Sequence, residues 1–132
     1  MNDVNASIGL HNLKYVDAAI ERHKQNANFY DQNLKGVGGI TLLQRRVDCE
    51  SSFWIYTLKV ERQEDFMAKM RDCNIMVSRV HERNDKHSCV QKYKNNLTNL
   101  EKLVKEMICI PVGWWVTDEQ REYIVECIKN GW

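Results

Sequence analysis

MNDVNASIGLHNLKYVDAAIERHKQNANFYDQNL, residues 1–34, is the stretch whose periodicity decides the architecture. From Leu13 the inward positions fall at Leu13, Val16, Ile20, His23, Ala27, Tyr30 and Leu34, in alternating steps of three and four. Such steps keep one stripe of side chains on one side of a helix. Lys14, Asp17, Glu21, Arg22, Lys24, Gln25, Asn28 and Asp31 fall on the other side and suit solvent. No proline interrupts the run, and Gly36, Gly38 and Gly39 supply helix stop signals after it. One long leading helix is predicted, against which the rest of the chain must pack. Ile8 and Leu10 extend the apolar seam upstream.

Outward from that helix, the chain reads as a small α+β unit. Ile40–Leu43 is a short strand candidate, and 44–52 is a charged loop. Phe53–Val60 is the clearest strand, with Trp54, Tyr56, Leu58 and Val60 sharing one face. Arg62–Cys73 reads as a helix with Phe66, Met67, Met70 and Cys73 inward, and Ile75–Val80 as a further strand. The segment 81–96 is almost wholly polar and irregular. Thr98-Asn-Leu-Glu101 and Thr117-Asp-Glu-Gln120 both have the form of a capping box, in which hydroxyl and acid or amide each satisfy a free backbone N–H. The first opens a helix with Leu100, Leu103, Val104 and Met107 inward; the second opens a helix with Ile124, Val125 and Ile128 inward. Ile108–Ile110 lies between them as a buried strand stopped by Pro111, the sole proline. Helices alternating with short strands imply a small, mostly antiparallel sheet of about three strands covered by helices. The division is 1–34 as a joining and interface helix region and 35–132 as a small α+β domain.

The totals narrow the function classes. A chain of 132 residues with formal net charge +1 fits one domain and offers no electrostatic case for nucleic acid or an anionic membrane. No apolar run approaches the roughly 20 residues that span a bilayer. Five scattered cysteines without a Cys-x-x-Cys pair suit free, mostly buried thiols in a reducing cytosol.

The opening also carries a family resemblance. Asn2-Asp-Val-Asn-Ala-Ser-Ile-Gly-Leu10, then Asn12-Leu13, Arg22, Tyr30 and Leu34, resembles the second half of the DegT/StrS-type sugar aminotransferases, pyridoxal-phosphate enzymes of fold type I that aminate keto groups on nucleotide-linked deoxysugars. Ser7 stands where that pattern has Ala, and Asn12 where it has Gln. Further on, Arg62 resembles the arginine after the family's aromatic strand. Ile110-Pro111 resembles its Leu-Pro, and Thr117-x-Glu119 its last helix start; Asn74-Ile75 departs from its Gly-Ile. The pattern lies well inside a family member, so the resemblance implies that Met1 is an internal methionine and that a large cofactor domain is missing. It also implies that the cofactor lysine, the aspartate on the pyridine nitrogen and the phosphate cradle lie upstream. No cofactor is then expected on this chain, pyridoxal phosphate belonging to the parent enzyme.

The only crowd of titratable and hydrogen-bonding groups is Val80-His-Glu-Arg-Asn-Asp-Lys-His87. Arg offers phosphate a bidentate fork and His a donor near neutral pH. The resemblance implies that this loop reaches the active-site mouth, with His81, Arg83 and Asn84 as the substrate-binding candidates and a nucleotide sugar as substrate. Read as a metal set, His81, His87 and Cys89 lack a fourth ligand at convincing spacing. His23 falls within the seam, as a buried imidazole bonded to a neighbour would. Of the adjacent Trp114 and Trp115, one is expected in the core and one over the last helix, although loss of a large domain would expose one. Without that domain, Ile8, Leu10 and Leu13 should stand bare and drive homo-oligomer formation. Two readings compete: a free-standing binding or dimerisation module without cofactor, and an unrelated small α+β enzyme using the 81–89 segment.

Overall fold

A computed structural model describes residues 1–80 and 82–132; His81 lies outside the described residues. Helix α1 spans Asp3–Leu34, its first turn capped by the Asn2 side chain, which accepts from the Asn5 N–H at 2.9 Å. Its C-terminus ends at Lys35, where Gly36 adopts φ +80, a conformation that suits a residue without a Cβ. Strands β1 (Ile40–Leu42), β2 (Tyr56–Val60) and β3 (Met107–Ile110) form an antiparallel sheet in the order β1-β2-β3. Ile40 pairs with Val60 and Tyr56 with Ile110, which fixes the register at both ends of β2. Helix α2 (Gln63–Asp72), α3 (Thr98–Glu106) and α4 (Asp118–Lys129) complete the α+β arrangement.

The core collects the second half of α1, the sheet, α2 and α4. Ala27, Tyr30, Leu34, Leu58, Phe66, Met70 and Ile108 are fully buried, and Ile124, Val125 and Ile128 close it from α4. Alternation along β2 sets Tyr56, Leu58 and Val60 inward and leaves Thr57 and Lys59 half-covered. The Trp132 ring packs edge-on against Phe66 at 5.0 Å, and its Nε1 donates to the Glu61 carbonyl at 2.8 Å. Gly39 makes room for that indole: with φ +77, it would place a Cβ 2.8 Å from the ring. A side chain there would displace Trp132 as well as strain the backbone.

The seam of α1 is satisfied over only part of its length. Ala27, Tyr30 and Leu34 are buried and Ile20 and His23 half-buried, but Leu13 and Val16 are 63% and 40% exposed. Periodicity reports an apolar stripe; it carries no information about how far the packing partner extends. Three local expectations also change. Ile75–Val80 is not a strand: it contributes one antiparallel bridge, Ser78 with Cys109, before Val80 takes φ 51. That left-handed conformation is unfavourable for a β-branched residue and ends pairing there. Trp54 does not share the inward face of β2, because Phe53 at φ 51 turns the chain just before the strand and leaves Trp54 72% exposed. At α3 the Thr98 box does not form. Thr98 already lies inside the helix, Leu97 occupies the N-cap, and no side chain caps it. The same motif at α4 does form: Thr117 Oγ1 accepts from the Gln120 N–H at 3.2 Å, and Gln120 Oε1 accepts from the Thr117 N–H at 3.0 Å. No residue of α3 is buried, and Leu103 is exposed.

Polar contacts fix α1 to the turn between β3 and α4. The Asn26 side chain, wholly buried, donates to the carbonyls of Val112 (3.2 Å), Gly113 (3.1 Å) and Val116 (3.4 Å), and its oxygen accepts from Arg121 at 3.3 Å. Arg22 donates to the Val116 carbonyl at 3.2 and 2.7 Å and pairs with Asp118 at 2.7 Å. Tyr30 donates to the Pro111 carbonyl at 2.7 Å. The turn has no strand partners of its own, so these side chains supply what a ladder would. Asn26→Ala is expected to lower unfolding stability by roughly 1–3 kcal/mol, because it strips the donor from the Val112 carbonyl, while Gly113 and Val116 keep bonds from the Val116 N–H and Arg22. Urea unfolding measures it, and a loss below about 0.5 kcal/mol would refute the account.

Candidate functional site

Between the Ser78 bridge and α3, the polar segment turns back on itself in two 3-10 turns, Asn84–Lys86 and Ser88–Tyr93. Among the described residues, none from 82 to 97 is buried, so short local bonds replace a core. His87 N–H donates to Asn84 O at 3.3 Å and Val90 N–H to His87 O at 3.1 Å. Val80, Arg83, Asn84, Asp85, His87 and Leu100 line an open cleft of about 660 Å³. Arg83 and Asn84 are therefore brought to one cleft, with His87 beside them; His81 lies outside the described residues. Cys89 is exposed and is not among the lining residues. No group of three or more metal-ligating side chains occurs among the described residues.

The Arg83 fork is already occupied. Nε and Nη2 reach the two carboxylate oxygens of Asp85 at 2.8 and 2.5 Å, and Nη1 lies 3.7 Å from Glu101 on α3. The guanidinium holds the Asp85 carboxyl below the usual carboxylate range, and Asp85 pushes Arg83 up in turn. Lys86 similarly holds Glu82 low through a 2.6 Å bond. A phosphate ligand at Arg83 would compete with Asp85 for the same planar donors.

A second cleft, of about 470 Å³, lies between α1 and the 43–57 segment, and nothing in the sequence pattern marks it. Arg45 stacks over Phe53 at 4.5 Å and Tyr56 at 5.2 Å and pairs with Asp31 at 3.0 Å. Tyr56 donates to the same Asp31 at 2.6 Å; burial, then the neighbouring carboxylate, pushes its phenol well up. Across the mouth Lys24 pairs with Glu50, which raises the Lys24 ammonium and lowers the Glu50 carboxyl. His23 holds the rear wall through Nδ1, 2.9 Å from the Phe53 carbonyl, and is half-buried beside Trp115. Trp114 and Trp115 are 62% and 61% exposed, so neither enters the core; the Trp115 ring instead fills the space beside Gly113. Trp114 and Trp115 pack edge to face on each other at 5.9 Å, and Trp54 is exposed as well.

On α1, Ile8, Leu10 and Leu13 are 56%, 72% and 63% exposed, with Val4, Tyr15 and Val16 exposed as well. The thiols are less hidden than expected: Cys109 and Cys127 are buried, Cys73 is half-covered, and Cys49 and Cys89 are exposed. Among the described residues, no helix is long and apolar enough to cross a membrane.

The profile of the DegT/DnrJ/EryC1/StrS aminotransferase family matches residues 1–129. This chain belongs to that family. Among curated relatives, the dTDP-4-amino-4,6-dideoxy-D-glucose transaminase of Shigella dysenteriae is 26% identical over 98% of this chain and 38% of its own length. Among solved structures, the sugar aminotransferase CalS13 from Micromonospora echinospora superposes with a TM-score of 0.97 at 42% identity, over 100% of this chain and 36% of its own. AtS13 from Actinomadura melliaura gives 0.97 at 45%, over 100% and 35%. The chain thus spans little more than a third of the length of these relatives. The small antiparallel sheet behind one long leading helix is the family's arrangement over that third.

The residues present do not fit the family's cofactor, pyridoxal phosphate. Among the described residues no lysine is buried, and Lys24 is paired with Glu50, which raises its ammonium and opposes the deprotonated amine that such chemistry needs. The helix starts are no better as phosphate cradles: Asp3, Glu64 with Asp65, and Asp118 with Glu119 place carboxylates in the first turns of α1, α2 and α4. Arg83→Gln is expected to raise the Asp85 carboxyl back toward the ordinary carboxylate range in a carbon-detected NMR titration, because the guanidinium that holds it low is gone. Because the folded carboxyl titrates low, its pairing stabilises the fold above the unfolded value and is lost as pH falls through the folded one. The stability gap between the parent chain and Arg83→Gln should therefore close below about pH 4; a gap independent of pH would mean that the pair contributes nothing.

Proposed function

We propose that this chain is the C-terminal portion of a pyridoxal-phosphate-dependent aminotransferase acting on nucleotide-linked keto-deoxysugars, and that it is not catalytic by itself. The observation that carries this reading is end-to-end superposition on a sugar aminotransferase at 42% identity, covering only 36% of that enzyme. A dTDP-sugar transaminase among the curated relatives supports the substrate class. In this reading residues 1–34 form the joining helix and 35–132 the small domain. The cofactor, its lysine and its phosphate cradle belong to the missing large domain. The segment bearing His81, Arg83 and Asn84 borders the substrate, with Arg83 exchanging Asp85 for a phosphate oxygen.

The bare half of α1 supports the partner side of the proposal. Ile8, Leu10 and Leu13 are exposed apolar residues on a helix whose other half buries Ala27, Tyr30 and Leu34, the pattern of a surface made to be covered. The large domain is its natural cover, and a second copy of the chain takes that place when the domain is absent.

The test is reconstitution. The purified chain with pyridoxal phosphate, a nucleotide-linked keto-sugar and an amino donor should give no amino sugar and no borohydride-fixed lysine adduct. Adding the upstream two-thirds of a close sugar aminotransferase, expressed separately, should restore amino-sugar formation. Activity of the chain alone would overturn the non-catalytic reading, and a reconstituted mixture that stays inert would count against the aminotransferase one. Sedimentation across a dilution series should show association of the isolated chain, weakened at least tenfold by Ile8→Glu with Leu10→Glu. A strict monomer would remove the interface assignment.

A further inference from the structure

Helices α2 and α4 meet at a pair of cysteines that the aminotransferase reading does not use. Cys73 is the residue at the C-terminal cap of α2, and its N–H bonds back to Lys69 at 3.1 Å, so its position is fixed by the helix end. Cys127 lies on α4, one turn beyond Tyr123 and on the same face. The Tyr123 hydroxyl donates to the Cys73 carbonyl at 3.4 Å, which brings that face of α4 onto the end of α2. Cys127 belongs to the buried core and Cys73 packs against that core, so the two cysteines neighbour each other where the Tyr123 hydroxyl reaches the end of α2. Among the other cysteines, Cys109 is buried with its sulfur 3.2 Å from Thr57 Oγ1, while Cys49 and Cys89 are exposed.

We propose that Cys73 and Cys127 form a reversible disulfide that staples α2 to α4 when a low-molecular-weight disulfide such as oxidised glutathione is present. The half-exposed Cys73 meets the oxidant first. Cys73 gives its proton to solvent, its thiolate attacks one sulfur of the oxidant, that S–S bond breaks to release one thiolate, and a mixed disulfide forms on Cys73. Cys127 then loses its proton to the released thiolate, attacks the Cys73 sulfur and expels the second thiolate, which takes from solvent the proton that Cys73 gave up. Two cysteine thiols are oxidised to one disulfide, and the oxidant is reduced to two thiols. Burial and the adjacent Cys73 push the Cys127 thiol up, which suits it to the second, intramolecular step rather than to the first. Cys49 and Cys89 stop at the mixed disulfide with the oxidant.

The experiment is to incubate the 132-residue chain with oxidised glutathione and map its peptides. A Cys73–Cys127 cross-linked peptide, 2 Da lighter than its reduced parts, is expected, with glutathione retained at Cys49 and Cys89. Cys127→Ser should trap glutathione on Cys73, and Cys73→Ser should leave Cys127 unmodified, both variants keeping the circular-dichroism spectrum of the parent. The linked form should melt roughly 5–10 °C above the reduced one, because the bridge closes a long loop in the unfolded chain. Glutathione persisting on Cys73 in the parent chain, a free Cys73–Cys127 pair under conditions that modify Cys49, or a linked form that melts no higher would each overturn the proposal.

Discussion

One buried amide holds this molecule together. Asn26 sits in the middle of a long helix and binds carbonyls of a turn more than eighty residues further on. That turn connects the last strand to the last helix, and the carbonyls of Val112, Gly113 and Val116 converge on this one amide. Arg22 and Tyr30, one turn to either side, add the bonds to Val116 and Pro111, and the Asp118 pair joins α4 to the same clamp. The apolar core fixes which faces meet. These oriented donors fix where along α1 the sheet and α4 sit, since apolar contact alone tolerates sliding.

Much of the architecture was legible because it follows from local patterns. The three- and four-residue spacing of α1, the alternation of Tyr56, Leu58 and Val60, and the Thr117 box each express backbone geometry in nearby side chains. Misreadings arose where a local pattern had more than one tertiary outcome. Thr98 and Thr117 open motifs of the same form, yet only Thr117 stands outside its helix; at Thr98 the helix begins a residue earlier and Leu97 takes the cap. Ile75–Val80 has the composition of a strand, but only Ser78 finds an edge to pair with before Val80 turns left-handed. Leu13 and Val16 obey the same period as Tyr30 and Leu34, and only the latter have something to pack against.

The candidate site was legible as a segment and not as an arrangement. A crowd of charges at 82–87 signals a polar loop, while the closure of Arg83 onto Asp85 depends on the tight turn at Asn84. The Arg45, Phe53, Tyr56 and Asp31 constellation had no sequence signature at all. Its members come from three separate elements, and the strained Phe53 that orients it is an ordinary phenylalanine on paper. Family membership explains the overall shape.

The half-anchored first helix has a mechanical consequence. At about 1.5 Å per residue, the stretch from Asp3 to Ala18 projects roughly 24 Å beyond the part held by the clamp. A helix of this kind bends little over that distance, so it behaves as a lever arm whose fulcrum is Asn26. The tip at Asp3 lies roughly 35 Å from Asn26, so a tilt of about 5° at the fulcrum sweeps it through about 3 Å, beyond the 1–2 Å helix shifts that already repack interfaces. Whatever grips Ile8 and Leu10 is thereby coupled to the turn at Pro111–Val116 through a rigid rod. Motion at one end is transmitted to the other without any change in the sheet between them.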